Sequence, residues 1–245
     1  MICGNQTKVR DIVTSNPAAT RVLEDAGVDY CCGGGKSLHD ACAHAGISAD
    51  EILRRLSEAS QQAGPEEREW MSAPLGEITR HIREKHHAFV RQAIPRIRTM
   101  LGKVITKHGE KHEETVAIEM LFTAMARELL MHMQKEEQIL FPYIETLERA
   151  AAAKEACEPP FFQTVRNPVS AMMKEHDAAG DLTKRIRDAS NGYTAPADAC
   201  ATFEALYREL REFEMDLHQH VHLENNLLFP RAVELESATL QGAAQ

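Results

Sequence analysis

Apolar positions along this chain recur at helical spacing, and no stretch alternates with the period of two that a strand requires. From Pro74 the pattern is long and helical, over about 74–105, 113–149, 163–189 and 197–236. The breaks are KHGEKH, a segment containing EPPFF, and SNGYTAP, each with turn chemistry. Four long helices with short or moderate connections predict an antiparallel four-helix bundle. Pro95, Pro142 and Pro230 fall inside the first, second and fourth of them, so each predicts a kink or a weakened turn. Ahead of the bundle, residues 7–60 predict a compact set of short helices. One runs from Asn16-Pro17 to Ala26, with Gly27 as a left-handed stop; a second is capped by Ser37 and ends near Gly46; a third opens on the capping box Ser48–Glu51 and reaches about Ser60. The chain is thus expected to be all-α: a small helical domain over 1–62, a polar linker over 63–73 in which Trp70 docks onto one of the domains, a bundle over 74–238, and a disordered tail over 239–245.

One stretch organises the bundle. His132–Pro142, HMQKEEQILFP, recurs as His220–Pro230, HVHLENNLLFP. Both copies read H-x-x-x-E, two polar residues, two aliphatics, Phe-Pro. In a helix His and Glu four apart lie about 6 Å along the axis and about 40° around it, so both side chains reach one object. A single H-x-x-x-E is commonly a surface pair. Here Ile139, Leu140, Leu227 and Leu228 follow near the same helix face, so both grips point into a core. Buried imidazoles and carboxylates need compensation, and a shared cation provides it.

Composition narrows the classes of function. Ten methionines, thirteen glycines and few clusters of Val, Ile or Thr agree with a helical protein. A net charge of -9 with no basic run argues against nucleic acid as a partner. No apolar run reaches the ~18 residues of a membrane span, and MICGNQTKVR lacks a signal-peptide core, so a cytoplasmic protein is expected. The six cysteines read as thiols rather than as a disulfide framework. Cys31 and Cys32 stand together in the loop Asp29–Gly35, DYCCGGG, whose glycines permit close backbone approach. They read either as small buried apolar residues or as a reactive, metal-receiving pair beside a helix start. Cys42 is expected in the core; Cys3, Cys157 and Cys200 have no partner visible in sequence.

Further ligands are expected from the first and third long helices. The third offers His176, which precedes His220 by nearly the interval that separates His87 from His132. In the first, His81, His86 and His87 compete, and His87 fits the duplication best. His218 and His222 lie about 200° from His220 and are assigned to the outer face. The resulting set is His87, His132, Glu136, His176, His220 and Glu224. Four imidazoles and two carboxylates overfill a tetrahedral zinc site and suit two ions bridged by the two glutamates. Mixed N/O ligation with open positions favours iron, with manganese and zinc as alternatives.

With these residues placed, the chain resembles the repair-of-iron-centres family of the YtfE/ScdA type. The resemblance is carried by Asp29-Tyr30-Cys31-Cys32-Gly33-Gly34, by His132-x-x-x-Glu136-Glu137-Gln138-Ile139-Leu140-Phe141-Pro142, by Glu175-His176-Asp177 and by His220-x-x-x-Glu224-Asn225-Asn226, over about residues 8–234. It implies a hemerythrin-like bundle holding two non-haem Fe ions at the six residues, with room for an oxo bridge, and a cysteine pair at Cys31 and Cys32 with a delivery or redox role. It also implies a cytoplasmic homodimer that restores iron-sulfur clusters damaged by oxidative or nitrosative stress, with iron-sulfur proteins as partners. The alternatives are a di-iron NO or peroxide reductase and an O2 or NO sensor. Relative to the family pattern, the doubled His86-His87 and a third glycine after the cysteines are departures.

Overall fold

The computed structural model describes residues 4–16, 19–31, 33–59, 69–155 and 157–242. Among them regular structure is helical, apart from an isolated bridge between Lys8 and Ser37. The chain divides into two compact units, one of residues 1–79, 144–159 and 218–245, the other of residues 80–143 and 160–217.

In the first unit, short helices Val9–Ser15, Ala19–Asp25, Leu38–Ala45 and Ala49–Ala59 enclose Ile12, Leu23, Leu38 and Ile52, all fully buried. The caps follow the sequence. Ser37 Oγ accepts from the Asp40 amide at 3.1 Å, and Gly46 closes that helix with φ +70°, as Gly27 does after the preceding one with φ +66°. Helix Val9–Ser15 was not expected, because VRDIVTS is short and half β-branched. Its apolar residues at 9, 12 and 13 nevertheless carry the helical spacing and are the buried ones. Residues 60–68, which include much of the expected linker, lie outside the described residues, as does Cys32; Glu69–Ser72, within the expected linker, is a helical turn. The Trp70 carbonyl accepts from Arg231 at 3.3 Å, and Arg231 also donates to the Ala73 carbonyl at 2.7 Å.

The first long helix starts in this unit at Leu75, and its first amides are satisfied from a distance in sequence. Leu75 N–H and Gly76 N–H donate to the two oxygens of Glu148 at 2.6 and 2.9 Å, a carboxylate placed where the helix dipole favours it. At the other end of the chain, helix Phe229–Gly242 runs into the stretch expected to be a disordered tail.

In the second unit, helices Ala88–His108, Glu114–Lys135 and Arg166–Ala189 pack with the residues of helix Ala201–His222 that belong to it. Phe122 and Phe213 meet edge-on at 5.4 Å in its core, among Ile97, Met125 and Leu210. The turn after Ala189 uses left-handed Asn191, Gly192 and Tyr193.

The expected kinks at Pro142 and Pro230 take a specific form. Each proline is preceded by a π-helical segment, Glu136–Leu140 and Leu223–Leu228, in which the amide of Phe141 or Phe229 donates to the carbonyl of Glu136 or Glu224, five residues back. Proline has no N–H to give the next carbonyl, and the wider turn re-registers the ladder around that gap. A third π segment, Ile82–His87, lies in the first long helix, where the Ala88 amide reaches Arg83. All three hold or adjoin the expected ligands.

Candidate metal centre

Within the second unit, His87, His132, Glu136 and His176 come together from three helices, each at most 2% exposed. Glu136 divides its oxygens between two imidazoles: Oε2 stands 3.4 Å from His87 Nε2, and Oε1 stands 3.2 Å from His132 Nε2. His176 Nε2 lies 3.0 Å from His132 Nε2. The three ligand atoms of His132, Glu136 and His176 are within 4.8 Å of one another. His86, the competitor for His87, points elsewhere: its Nδ1 pairs with Asp216 at 2.9 Å.

Each imidazole bordering Glu136 is fixed from behind, a feature sequence reasoning missed. His87 Nδ1 bonds Glu137 at 2.7 Å, and Arg91 donates to both Glu137 oxygens at 2.9 and 2.8 Å. His132 Nδ1 bonds Glu175 at 2.9 Å, and Lys135 pairs with that carboxylate. Burial pushes the Glu137 carboxyl up, but the hydrogen bonds from His87 and Arg91 outweigh it and hold it below the usual range. The bond from His132 holds Glu175 at about 2, against its burial and with help from Lys135. Both are therefore carboxylates at neutral pH, and each fixes its imidazole with N–H toward the carboxylate and the Nε2 lone pair toward Glu136. The one legible signal was an acid adjacent to a ligand, Glu137 after Glu136 and Glu175 before His176.

The first unit holds the second grip. His220 Nε2 and Glu224 Oε1 are 3.0 Å apart, with exposures of 1% and 0%. His218 and His222 turn away from it, yet they are not on a solvent face as expected. His218 Nδ1 bonds both oxygens of Glu24, at 2.9 and 3.0 Å, and Tyr30 packs edge-on against both rings at 6.2 and 5.6 Å. Burial holds His222 down at about 4, so its neutral Nδ1 accepts from Asn226 Nδ2 at 2.8 Å. Cys31 is buried at 6% exposure, and its thiol donates to Asp29 Oδ1 at 3.4 Å. Cys42 is in the core at 1%.

The donor set fits a borderline divalent metal. It offers nitrogen and carboxylate oxygen and no thiolate, in a buried pocket whose imidazoles are held with Nε2 forward. Fold and donor set together define a cation-binding protein of the hemerythrin class with a small cysteine-bearing domain in front of it.

Comparison with known proteins agrees with both parts. Residues 77–232 match the hemerythrin HHE cation binding domain, and residues 5–60 match the DUF542 domain of unknown function. A Haemophilus influenzae protein named "Probable iron-sulfur cluster repair protein" is 34% identical over 229 residues, 93% of this chain and 97% of that protein. The "Iron-sulfur cluster repair protein YtfE" of Escherichia coli and of Escherichia fergusonii is 36% identical over 223 residues, 91% of this chain and 94% of theirs. The chain belongs to the iron-sulfur cluster repair family that these proteins represent.

Proposed function

We propose that this protein holds two iron ions and supplies iron for rebuilding iron-sulfur clusters damaged by oxidative or nitrosative stress. Their ligands would be His87, His132, Glu136, His176, His220 and Glu224, the six residues that the family resemblance implies, four imidazoles and two carboxylates that would serve both ions. The observation that carries the reading is the Glu136 carboxylate, fully buried, with an imidazole facing each oxygen. The names borne by its relatives support the assignment to cluster repair. When bound, iron supplies both the cargo and a redox-active centre open to O2, NO or peroxide.

The chain's own residues set how tightly that cargo is held. Imidazole and carboxylate grip iron less tenaciously than a thiolate cage does, which suits a site that must also release. Glu137 and Glu175 strengthen the two imidazoles they face and exclude the wrong tautomer. Cys31 and Cys32 are the thiol partners in delivery, on a small domain over 1–62 joined through 63–73 to the bundle over 74–238. By the family resemblance, the protein acts in the cytoplasm as a homodimer. No helix among the described residues is long and apolar enough to cross a membrane.

The test is iron stoichiometry and Mössbauer spectroscopy on anaerobically purified protein, before and after adding an apo iron-sulfur protein. Two irons per chain that decline as the client gains a cluster support donation. Two irons that stay in place while NO or peroxide is consumed would replace donation with reductase chemistry, and reversible gas binding without turnover would indicate a sensor.

A further inference from the structure

The two copies of the repeat diverge immediately after their glutamates: Glu136 is followed by Glu137-Gln138, Glu224 by Asn225-Asn226. In the first copy that position serves the bundle, through the bond from Glu137 to His87. In the second copy it serves the cysteine loop. Asn225 Nδ2 donates to the Cys31 carbonyl at 3.3 Å, and Asn226 Nδ2 donates to the Tyr30 carbonyl at 3.1 Å. Asn226 Nδ2 has a second hydrogen, and it goes to His222 Nδ1 at 2.8 Å. A buried backbone carbonyl needs a donor, and two consecutive loop carbonyls take theirs from two consecutive side chains of one helical segment.

The loop is shaped to receive them. A Cβ at Gly34 would stand 3.1 Å from Asn226 Oδ1 and 3.1 Å from Arg10 Cβ, so any other residue would press these side chains back by a few tenths of an ångström. A Cβ at Gly33 would stand 2.9 Å from Asp29 Oδ2, crowding the carboxylate that accepts both the Cys31 amide, at 3.1 Å, and its thiol. Tyr30 and the His218–Glu24 pair seat the flanks of the loop on the same helix.

We propose that Asn225 and Asn226 are positioning residues whose side-chain amides latch the cysteine loop to the segment carrying Glu224, keeping the Cys31 thiol covered. The proposal rests on the iron reading only for what Glu224 holds; the latch itself stands on the hydrogen bonds. Opening it uncovers the thiol, whose proton passes to Asp29 when the sulfur binds a cation or attacks an electrophile.

The test is site-resolved iodoacetamide labelling of the full-length protein, with metal content measured in parallel and Cys42 as the internal reference for global opening. Loss of one hydrogen bond, N225A or N226A, should speed alkylation of Cys31 about fivefold, and loss of both about 30-fold. N225Q keeps an amide donor and should recover part of the protection. G34A, which crowds Asn226 from the loop side, should act like N226A. Unchanged Cys31 labelling in the double variant overturns the latch; Cys42 rising in step with Cys31 overturns it too, since the asparagines would then be general structural supports. Iron content that stays at the wild-type level while Cys31 opens separates this result from any failure of the metal assignment.

Discussion

Glutamine at Glu136 separates the roles of ligand and scaffold. Glu136 is fully buried between His87 and His132, and Gln keeps its shape while removing its charge. In metal-free protein the carboxylate is withdrawn from water with no cation to compensate it, so E136Q should melt no lower than wild type. With iron the sign reverses. Ligand-linked stabilisation is about 4.1 kcal/mol at a thousandfold excess over Kd and falls to about 1.4 kcal/mol if affinity drops about a hundredfold. The difference, about 2.7 kcal/mol, corresponds to about 5–10 °C in Tm for a chain of this size. Anaerobic calorimetry with and without ferrous iron, together with iron analysis, reads both arms. Wild-type iron content with an undiminished iron-induced rise in Tm would refute Glu136 as a ligand; an equal fall with and without metal would make it a structural residue.

E137Q and E175Q should leave the metal-free Tm near wild type and weaken iron binding about 10–100-fold, read by competition with a chelator, because each removes the acceptor that fixes His87 or His132. E148A should lower Tm by about 2–8 °C without changing iron content, since two amides at the start of the first long helix lose a charged cap worth about 1–2 kcal/mol. At Cys200, the Phe203 amide at a helix start holds the thiol down at about 7, with the His108 imidazole adding to it, whereas burial pushes Cys157 up. The Cys200 thiolate is therefore present above about pH 7 and lost as pH falls through it. Its alkylation should show a midpoint near 7 and outpace Cys157 at neutral pH; a midpoint at the ordinary thiol value of about 8.5 would refute the amide's influence.

What the sequence disclosed and what it withheld follow from the range of the interactions. The bundle and the H-x-x-x-E grips are written in local periodicity, and the caps at Ser37, Gly46 and Gly27 are written in single residues. Helix Val9–Ser15 escaped because its β-branched residues argue against a helix that only packing around Ile12 sustains. The π segments show only as prolines in the wrong place, because one extra residue in a turn leaves the apolar pattern nearly intact. The backing carboxylates could not be assigned: Glu137 meets a histidine fifty residues before it and Glu175 one that lies forty-three residues before it, and only the fold brings either pair together. The outer-face assignment of His218 and His222 failed for the same reason. Rotation around the helix correctly turned them away from Glu224, but helical phase says nothing of a loop arriving from residue 30 to cover them. The divergence of the repeat was legible all along. A duplicated grip needs its His and Glu twice, so the positions where the copies differ mark what each half does alone: Glu137 orients a ligand, and Asn225 and Asn226 receive the cysteine loop.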